Sequence, residues 1–282
     1  MSEETNKRIL EPNRIIENSI LKTYRSRIWA PFINALKQYE LVKENDRVAV
    51  CISGGKDSML LALLFKMLHR FSDFPFEVKY LVMDPGYTEE NRKKIEENAK
   101  LMDIPIHIFE TNVFEVANTQ SKYPCYLCAK MRRGYLYKNA QDLGCNKIAL
   151  GHHMNDVIET VLMGMFYSSQ IQTMPPKLHS KNFEGMELIR PLYCVREDDI
   201  INWKNYNNLS FLQCACRFTE NTALGVSDSK RHEMKQLIKE LRKTNPDLEE
   251  SLFNSVHNVS ITTFPGYRLP DGKHSFLEKY DK

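Results

Sequence analysis

The hydrophobic pattern of the chain changes character twice. Over residues 1–45 apolar positions recur at helical spacing: Leu10, Ile15, Ile16, Ile20 and Leu21, then Ile28, Phe32, Ile33 and Leu36. This predicts a helical N-terminal extension, which Pro31 kinks or restarts, ending in a turn at Asn45 and Asp46. From Arg47 to Ile52 the pattern becomes a short, continuous β-branched run, read as a buried strand. An apolar helix follows over residues 59–68. Further strands are expected over 76–83, 104–109, 147–150 and 186–189, separated by helices over 89–102, 126–142 and 156–166. Strands alternating with helices predict an α/β fold with a parallel five-stranded sheet, whose ligands bind at the carboxyl ends of the strands. The chain then divides into an extension at 1–45, a catalytic domain at 46–217 and a C-terminal extension at 218–282. That extension reads as helical to Asn258, with turns at Pro265-Gly266 and Pro270-Asp271-Gly272.

Composition narrows the class without naming a function. Hydrophobic residues are 42% and charged residues 27%, an ordinary globular mix that argues against a disordered, collagen-like or coiled-coil chain. No apolar run approaches the ~18 residues of a membrane span, and residues 1–18 lack a secretory apolar core. A cytoplasmic protein with no membrane partner is expected. The net charge of +3 neither supports nor excludes a nucleic-acid partner. Locally, Lys122, Lys130, Arg132, Arg133 and Lys138 lie close together with no acidic residue among them, and residues 22–43 form a second basic stretch. Tyr123, Tyr126, Tyr135 and Tyr137 are interleaved with the first. Such a segment offers phosphate contacts and base stacking, or is a solvated helix face with core tyrosines.

Ser53, Gly54, Gly55, Lys56, Asp57 and Ser58 join the first strand to its helix. The glycines let backbone approach an anion, the helix start turns N–H groups and a positive dipole end toward it, and Lys56 adds charge. The spacing differs from a Walker A loop. Met83 and Asp84 end the second strand. Gly151, His152 and Asp156 follow the fourth, where Asp156 suits Mg²⁺ or simply caps the helix.

Seven cysteines, an odd number, argue against a disulfide framework. Cys125 and Cys128 form a C-x-x-C at a helix start, where thiolate is favoured. Cys214 and Cys216 come much later. Spacing leaves three readings open: a four-ligand zinc site, an iron–sulfur cluster on three cysteines, or a redox dithiol. Cys51, Cys145 and Cys194 sit in or near apolar elements and read as buried structural residues.

The loop at 53–58 resembles that of the PP-loop ATP pyrophosphatases. The resemblance implies that it holds the β- and γ-phosphates of ATP, that Met83 and Asp84 contact the adenosine, and that Gly151, His152 and Asp156 serve the pyrophosphate–Mg²⁺ end. The stretch from Pro124 to Tyr137 is similar to the PCxxCaxxRRGxLY motif of the tRNA 2-thiocytidine synthetase family. Residues 147–156, Met165-Phe166-Tyr167, residues 174–178 and residues 189–192 extend the likeness, in order, from about residue 44 to 214. The family implies an enzyme that uses ATP, Mg²⁺ and a 4Fe-4S cluster to replace the 2-oxygen of cytidine 32 in tRNA with sulfur. Carried over, Lys56, Asp57, Asp156 and Arg132 are the catalytic candidates, and Cys125, Cys128 and Cys214 the cluster ligands. Cys214 is chosen over Cys216 because it aligns with the first cysteine of the family's later pair, which is often C-x-x-C where this chain has C-x-C. Expected partners are tRNA and a sulfur donor such as a cysteine desulfurase or sulfide, with a homodimer as one expectation for the tail. A lysidine-type ligase, a 2-thiouridine synthetase and a non-catalytic ATP- and metal-binding RNA-binding or sensor protein are the alternatives.

Overall fold

The structure is a computed structural model and describes residues 11–119, 124–212 and 230–280. Its centre is β1 (Arg47–Ile52), a strand buried along five of its six residues. Parallel neighbours flank it: β2 (Glu77–Asp84) on one side, in register Ile52 to Val82, and β4 (Lys147–Ala149) on the other, Val50 to Ala149. β3 (Ile106–Glu110) extends the sheet beyond β2. β6 (Glu187–Ile189) pairs parallel with β4, and β5 (Lys177–His179) pairs antiparallel with β6. The order is β3-β2-β1-β4-β6-β5, six strands and not the five expected. The additional strand follows Pro175-Pro176 and has three residues, too few for a period-2 pattern to show in sequence.

The order reverses between β1 and β4: the chain leaves β1 for β2 on one side and returns to β4 on the other. Such a switch point opens a crevice at the strands' carboxyl ends. Helix α3 (Lys56–Phe71) leaves β1 directly after the phosphate loop. It is apolar nearly all round and buried from Ser58 to Phe65, as befits a helix enclosed on every side. Helices α1 (Pro12–Leu21) and α2 (Ala30–Gln38), joined through a short π-helix at Arg25–Trp29, cover α3 through Ile20, Ile28, Phe32 and Leu36. Pro31 stands in the first turn of α2, where its missing N–H costs nothing, so it starts a helix. The N-terminal extension therefore shares the main core.

Helix α4 (Glu89–Leu101) follows β2, capped by the Thr88 hydroxyl, and α5 (Val113–Thr119) follows β3. Helix α6 (Pro124–Asp142) covers the opposite face of the sheet, closing a smaller core of Ala49, Cys51, Leu81, Tyr137, Cys145 and Leu188. Tyr137 stacks on Phe183 at 5.0 Å, so this tyrosine is a core residue and not a base-stacking surface. Helix α7 (Met154–Ser168) follows β4, and α8 (Glu197–Tyr206) packs on α3.

After the undescribed residues 213–229, α9 (Lys230–Leu241) and α10 (Leu248–Ser255) pack on α7. The segment read as irregular beyond Asn258 contains an antiparallel hairpin of β7 (Gly266–Leu269) and β8 (Gly272–Ser275). Its Pro270-Asp271 turn was visible in sequence, but strands of four residues were too short to declare themselves. Among the described residues no helix is long and apolar enough to cross a membrane.

Candidate active site

The loop at 53–58 bends only because of its glycines. Gly54 adopts φ +83°, and a Cβ there would lie 2.7 Å from Ile95 and 2.8 Å from Leu212. Ser58 braces the turn: its hydroxyl donates to the Gly55 carbonyl at 3.0 Å and accepts from the Ser53 N–H at 3.1 Å. The loop from β4 comes just as close. A Cβ on Gly151 would meet the Asp57 and Ser58 backbone at 3.1 Å, so the loop after β4 packs main chain to main chain on the first turn of α3.

A cavity of about 410 Å³ opens at this junction. Ser53, Asp57, Ser58, Gly151, His152 and Asp156 line its phosphate end. Met83 reaches it from β2, and Ala129, Arg132, Arg133 and Leu136 wall it from α6. Asp84 points elsewhere. Its buried carboxylate accepts the N–H groups of Gly86 and Tyr87 at 2.9 and 2.7 Å and pairs with Arg92 at 3.3 Å, so here it holds the turn after β2. Arg133 and Leu136 were not singled out in the sequence as wall residues.

Charge is concentrated at the phosphate end. Lys56 Nζ lies 3.0 Å from Glu197 and 3.2 Å from Asp57. The N-cap of α7 is His153 and not Asp156: Asp156, at the third helical position, accepts the His153 N–H on Oδ2 at 3.0 Å as half of a capping box, while Oδ1 takes Arg231 at 2.6 Å. Glu159, one turn along α7, faces Arg231 at 3.2 Å and Lys235 at 3.7 Å. Sequence reasoning missed Glu159, Glu197, Arg231 and Lys235. The last two lie on α9, in the extension whose part was open.

Burial pushes the Glu159 carboxyl up to about 7, against the pull of Lys235 and Arg231. Glu197 is also raised by burial, but Lys56, His153 and Lys235 outweigh it and hold the carboxyl at about 2. Burial likewise opposes ionisation of Asp156, yet His153, His152 and Arg231 keep it below the usual carboxylate range. Burial lowers His152 to about 4, so it is a neutral ring at pH 7.

Three buried polar atoms at this end, Asp57 Oδ1, His152 Nδ1 and His153 Nδ1, have no hydrogen-bond partner among the described residues, although His153 Nε2 faces Asp57 Oδ1 at 3.8 Å and His153 Nδ1 faces Asp156 at 3.5 Å. Buried polar atoms are normally satisfied, so the site asks for a ligand. The Asp57 and Asp156 carboxylates line the same cavity, and Mg²⁺ is commonly held by one or two carboxylates plus substrate phosphates. The glycine cradle and Lys56 suit a polyphosphate. For an iron–sulfur group the donors are thiols. Cys125 and Cys128 both lie on α6, and Cys128 is half-buried. Cys128 is near enough to act electrostatically on the Tyr87 hydroxyl, as Arg132 does, and that hydroxyl donates to the Ser53 carbonyl at 3.4 Å. Cys214 lies outside the described residues. Two residues earlier, the Leu212 N–H donates to the Gly54 carbonyl at 3.1 Å. Cys51 lines the cavity floor with its thiol pushed by burial up to about 12, and Cys145 is buried beneath α6, both inert as expected.

Comparison with known proteins agrees with this geometry. Residues 25–216 match the PP-loop domain family. A tRNA-cytidine(32) 2-sulfurtransferase from Geotalea uraniireducens is 35% identical over 87% of this chain and 94% of its own. The enzyme of that name from Vibrio parahaemolyticus is 32% identical over 88% of this chain and 84% of its own. Among solved structures, the U34-tRNA thiolase NcsA from Methanococcus maripaludis, determined with its [4Fe-4S] cluster, superposes with a TM-score of 0.63. It is 20% identical, with 81% of this chain and 77% of its own covered, a likeness of fold. The chain belongs to the PP-loop family of tRNA-cytidine(32) 2-sulfurtransferases.

Proposed function

We propose that the chain is an ATP-dependent tRNA sulfurtransferase that replaces the 2-oxygen of cytidine 32 with sulfur, giving 2-thiocytidine. One observation carries the reading: the phosphate loop and the helix bearing Cys125 and Cys128 open on the same cavity. On this reading, nucleotide and sulfur chemistry meet beside that cavity.

The carbonyl-type oxygen of cytidine is a poor leaving group. Its attack on the α-phosphorus of ATP forms a new P–O bond and breaks the bond to the β-phosphate, so pyrophosphate departs. Sulfur then attacks C2 and AMP leaves with the oxygen. Lys56 and the loop N–H groups hold the departing pyrophosphate, whose charge grows as the bond breaks. Asp57 and Asp156 are the proposed Mg²⁺ ligands. Arg132, half-buried on the cavity wall, faces the α-phosphate or the RNA. When bound, Mg²⁺ would neutralise charge on the pyrophosphate, and a 4Fe-4S cluster on Cys125, Cys128 and Cys214 would deliver the sulfur. The sulfur arrives as sulfide, or as the persulfide of a cysteine desulfurase together with a thiol reductant that supplies the two electrons releasing it at the sulfide level. The same reading assigns 46–217 to catalysis, the two ends to helical extensions, and the protein to the cytoplasm. A homodimer remains part of the proposal for the tail.

Nucleoside mass spectrometry of tRNA from a deletion strain tests the reading. 2-Thiocytidine should vanish on deletion and return when the gene is restored. An unchanged level refutes the assignment.

A further inference from the structure

One carboxylate at the phosphate end is shared between two lysines from distant parts of the chain. Glu197 takes Lys56 of the loop at 3.0 Å and Lys235 of α9 at 2.9 and 3.1 Å. Its own position is fixed, because its backbone N–H donates to the Asn155 side-chain carbonyl at 2.9 Å, and Asn155 donates to Glu249 at 2.7 Å. His153 Nε2 approaches the same carboxylate at 3.9 Å.

We propose that Lys235 is a positioning residue that sets how tightly Glu197 holds Lys56, and so how readily Lys56 turns to the phosphates of ATP. The proposal rests on the loop being the ATP site. An incoming polyphosphate must win Lys56 from Glu197 and Asp57. Taking a cation from a largely buried carboxylate is costly when nothing else neutralises it. Lys235 removes that cost, because Glu197 stays paired after Lys56 has moved. Lys235 acts through Glu197: it lines a separate cleft of about 580 Å³ with Asn155, Glu159 and Glu197, while Lys56, held by Glu197, lines neither that cleft nor the cavity of Ser53, Asp57 and Ser58 and must turn to reach the latter. Lys235 also lies beyond residues 25–216, which the PP-loop domain matches, so the domain match assigns it nothing.

Calorimetric titration of full-length protein with Mg-ATP tests this through a cycle of variants. Lys235→Met leaves Lys56 as the one lysine on Glu197, with His153 at 3.9 Å, and should raise the ATP dissociation constant about tenfold, equivalent to ~1.4 kcal/mol. Lys235→Arg keeps the pair and should bind within about twofold of the parent. Adding Glu197→Gln to Lys235→Met removes the competing carboxylate and should restore binding. Parent-like binding by Lys235→Met overturns the proposal. So does a double variant as weak as Lys235→Met, which would mean that Lys235 contacts phosphate itself or merely supports the fold. If Lys235→Met fails to fold, Lys235→Met combined with Glu197→Gln, read against Glu197→Gln alone, still decides: a large difference between them overturns the idea. Failure of the parent protein to bind Mg-ATP would instead sink the ATP-site reading beneath it.

Discussion

Arg231 on α9 grips the Asp156 carboxylate of α7 at 2.6 Å, so the C-terminal extension completes the charge balance of the phosphate end. Asp156 also caps its own helix through the His153 N–H at 3.0 Å. Two substitutions separate these roles. Asp156→Ala should lose ~1 kcal/mol of stability with the cap, measured by urea unfolding. It should also lose AMP and pyrophosphate formation by ~100-fold or more, the scale of removing a group that stabilises transition-state charge. Asp156→Asn keeps a cap acceptor and should recover most of the stability but not the activity. Near-parental turnover by Asp156→Asn would make this residue a cap only.

Gly54→Ala should be poorly tolerated. The residue lies at φ +83°, where a side chain costs ~1–2 kcal/mol, and its Cβ would press on Ile95 and Leu212. The Ile95 and Leu212 side chains must then shift, beside the Leu212 N–H that donates to the Gly54 carbonyl. We expect a lower melting temperature together with weaker Mg-ATP binding. An unchanged binding isotherm would show that the loop does not need this turn.

Stability should carry a signature of Glu159. A carboxyl raised from 4.5 to about 7 in the fold favours folding as the protonated acid. That contribution is complete below about 4.5 and is lost as pH rises through about 7. Glu197, held at about 2, works in the other sense: its contribution is complete above 4.5 and lost as pH falls toward about 2. Glu159→Gln should therefore flatten the decline of unfolding free energy between about 4.5 and about 7. If the slope survives the substitution, the proton is held elsewhere.

Cys128→Ala should purify with little iron or acid-labile sulfide and should not thiolate tRNA. It should still bind Mg-ATP, because Cys128 stands on α6 and the proposed phosphate site is the loop at 53–58. Full iron content in this variant would remove Cys128 from the ligand set.

The sequence was informative where local chemistry and element type coincide. The loop at 53–58 could be recognised because glycine, lysine and a following apolar helix have one geometric meaning together. The strands β1, β2 and β3 were legible because each is a compact apolar run. The three-residue strands β4 and β6 were legible as well, but β5 (Lys177-Leu178-His179) has a single apolar residue, and the hairpin strands β7 and β8 are largely polar and exposed. Glu197 and Lys235 were invisible for another reason. Each looks like an ordinary charge on an amphipathic helix, and only the packing of α8 and α9 brings them to Lys56. Asp84, which the resemblance implies as an adenosine contact, directs Oδ1 to the N–H groups of Gly86 and Tyr87 and Oδ2 to Arg92, a local role that sequence does not display.

The contact at Gly151 has a consequence for how such enzymes diversify. Where it meets the backbone of Asp57 and Ser58, no side chain intervenes, so the gap between the loop after β4 and the first turn of α3 is a ruler made of peptide. No rotamer change can lengthen it, and few substitutions can survive there. The opposite wall is built from replaceable parts, the side chains of Arg132, Arg133 and Leu136. A lineage that keeps the ruler and edits the wall conserves its handling of ATP while moving from one nucleoside to another.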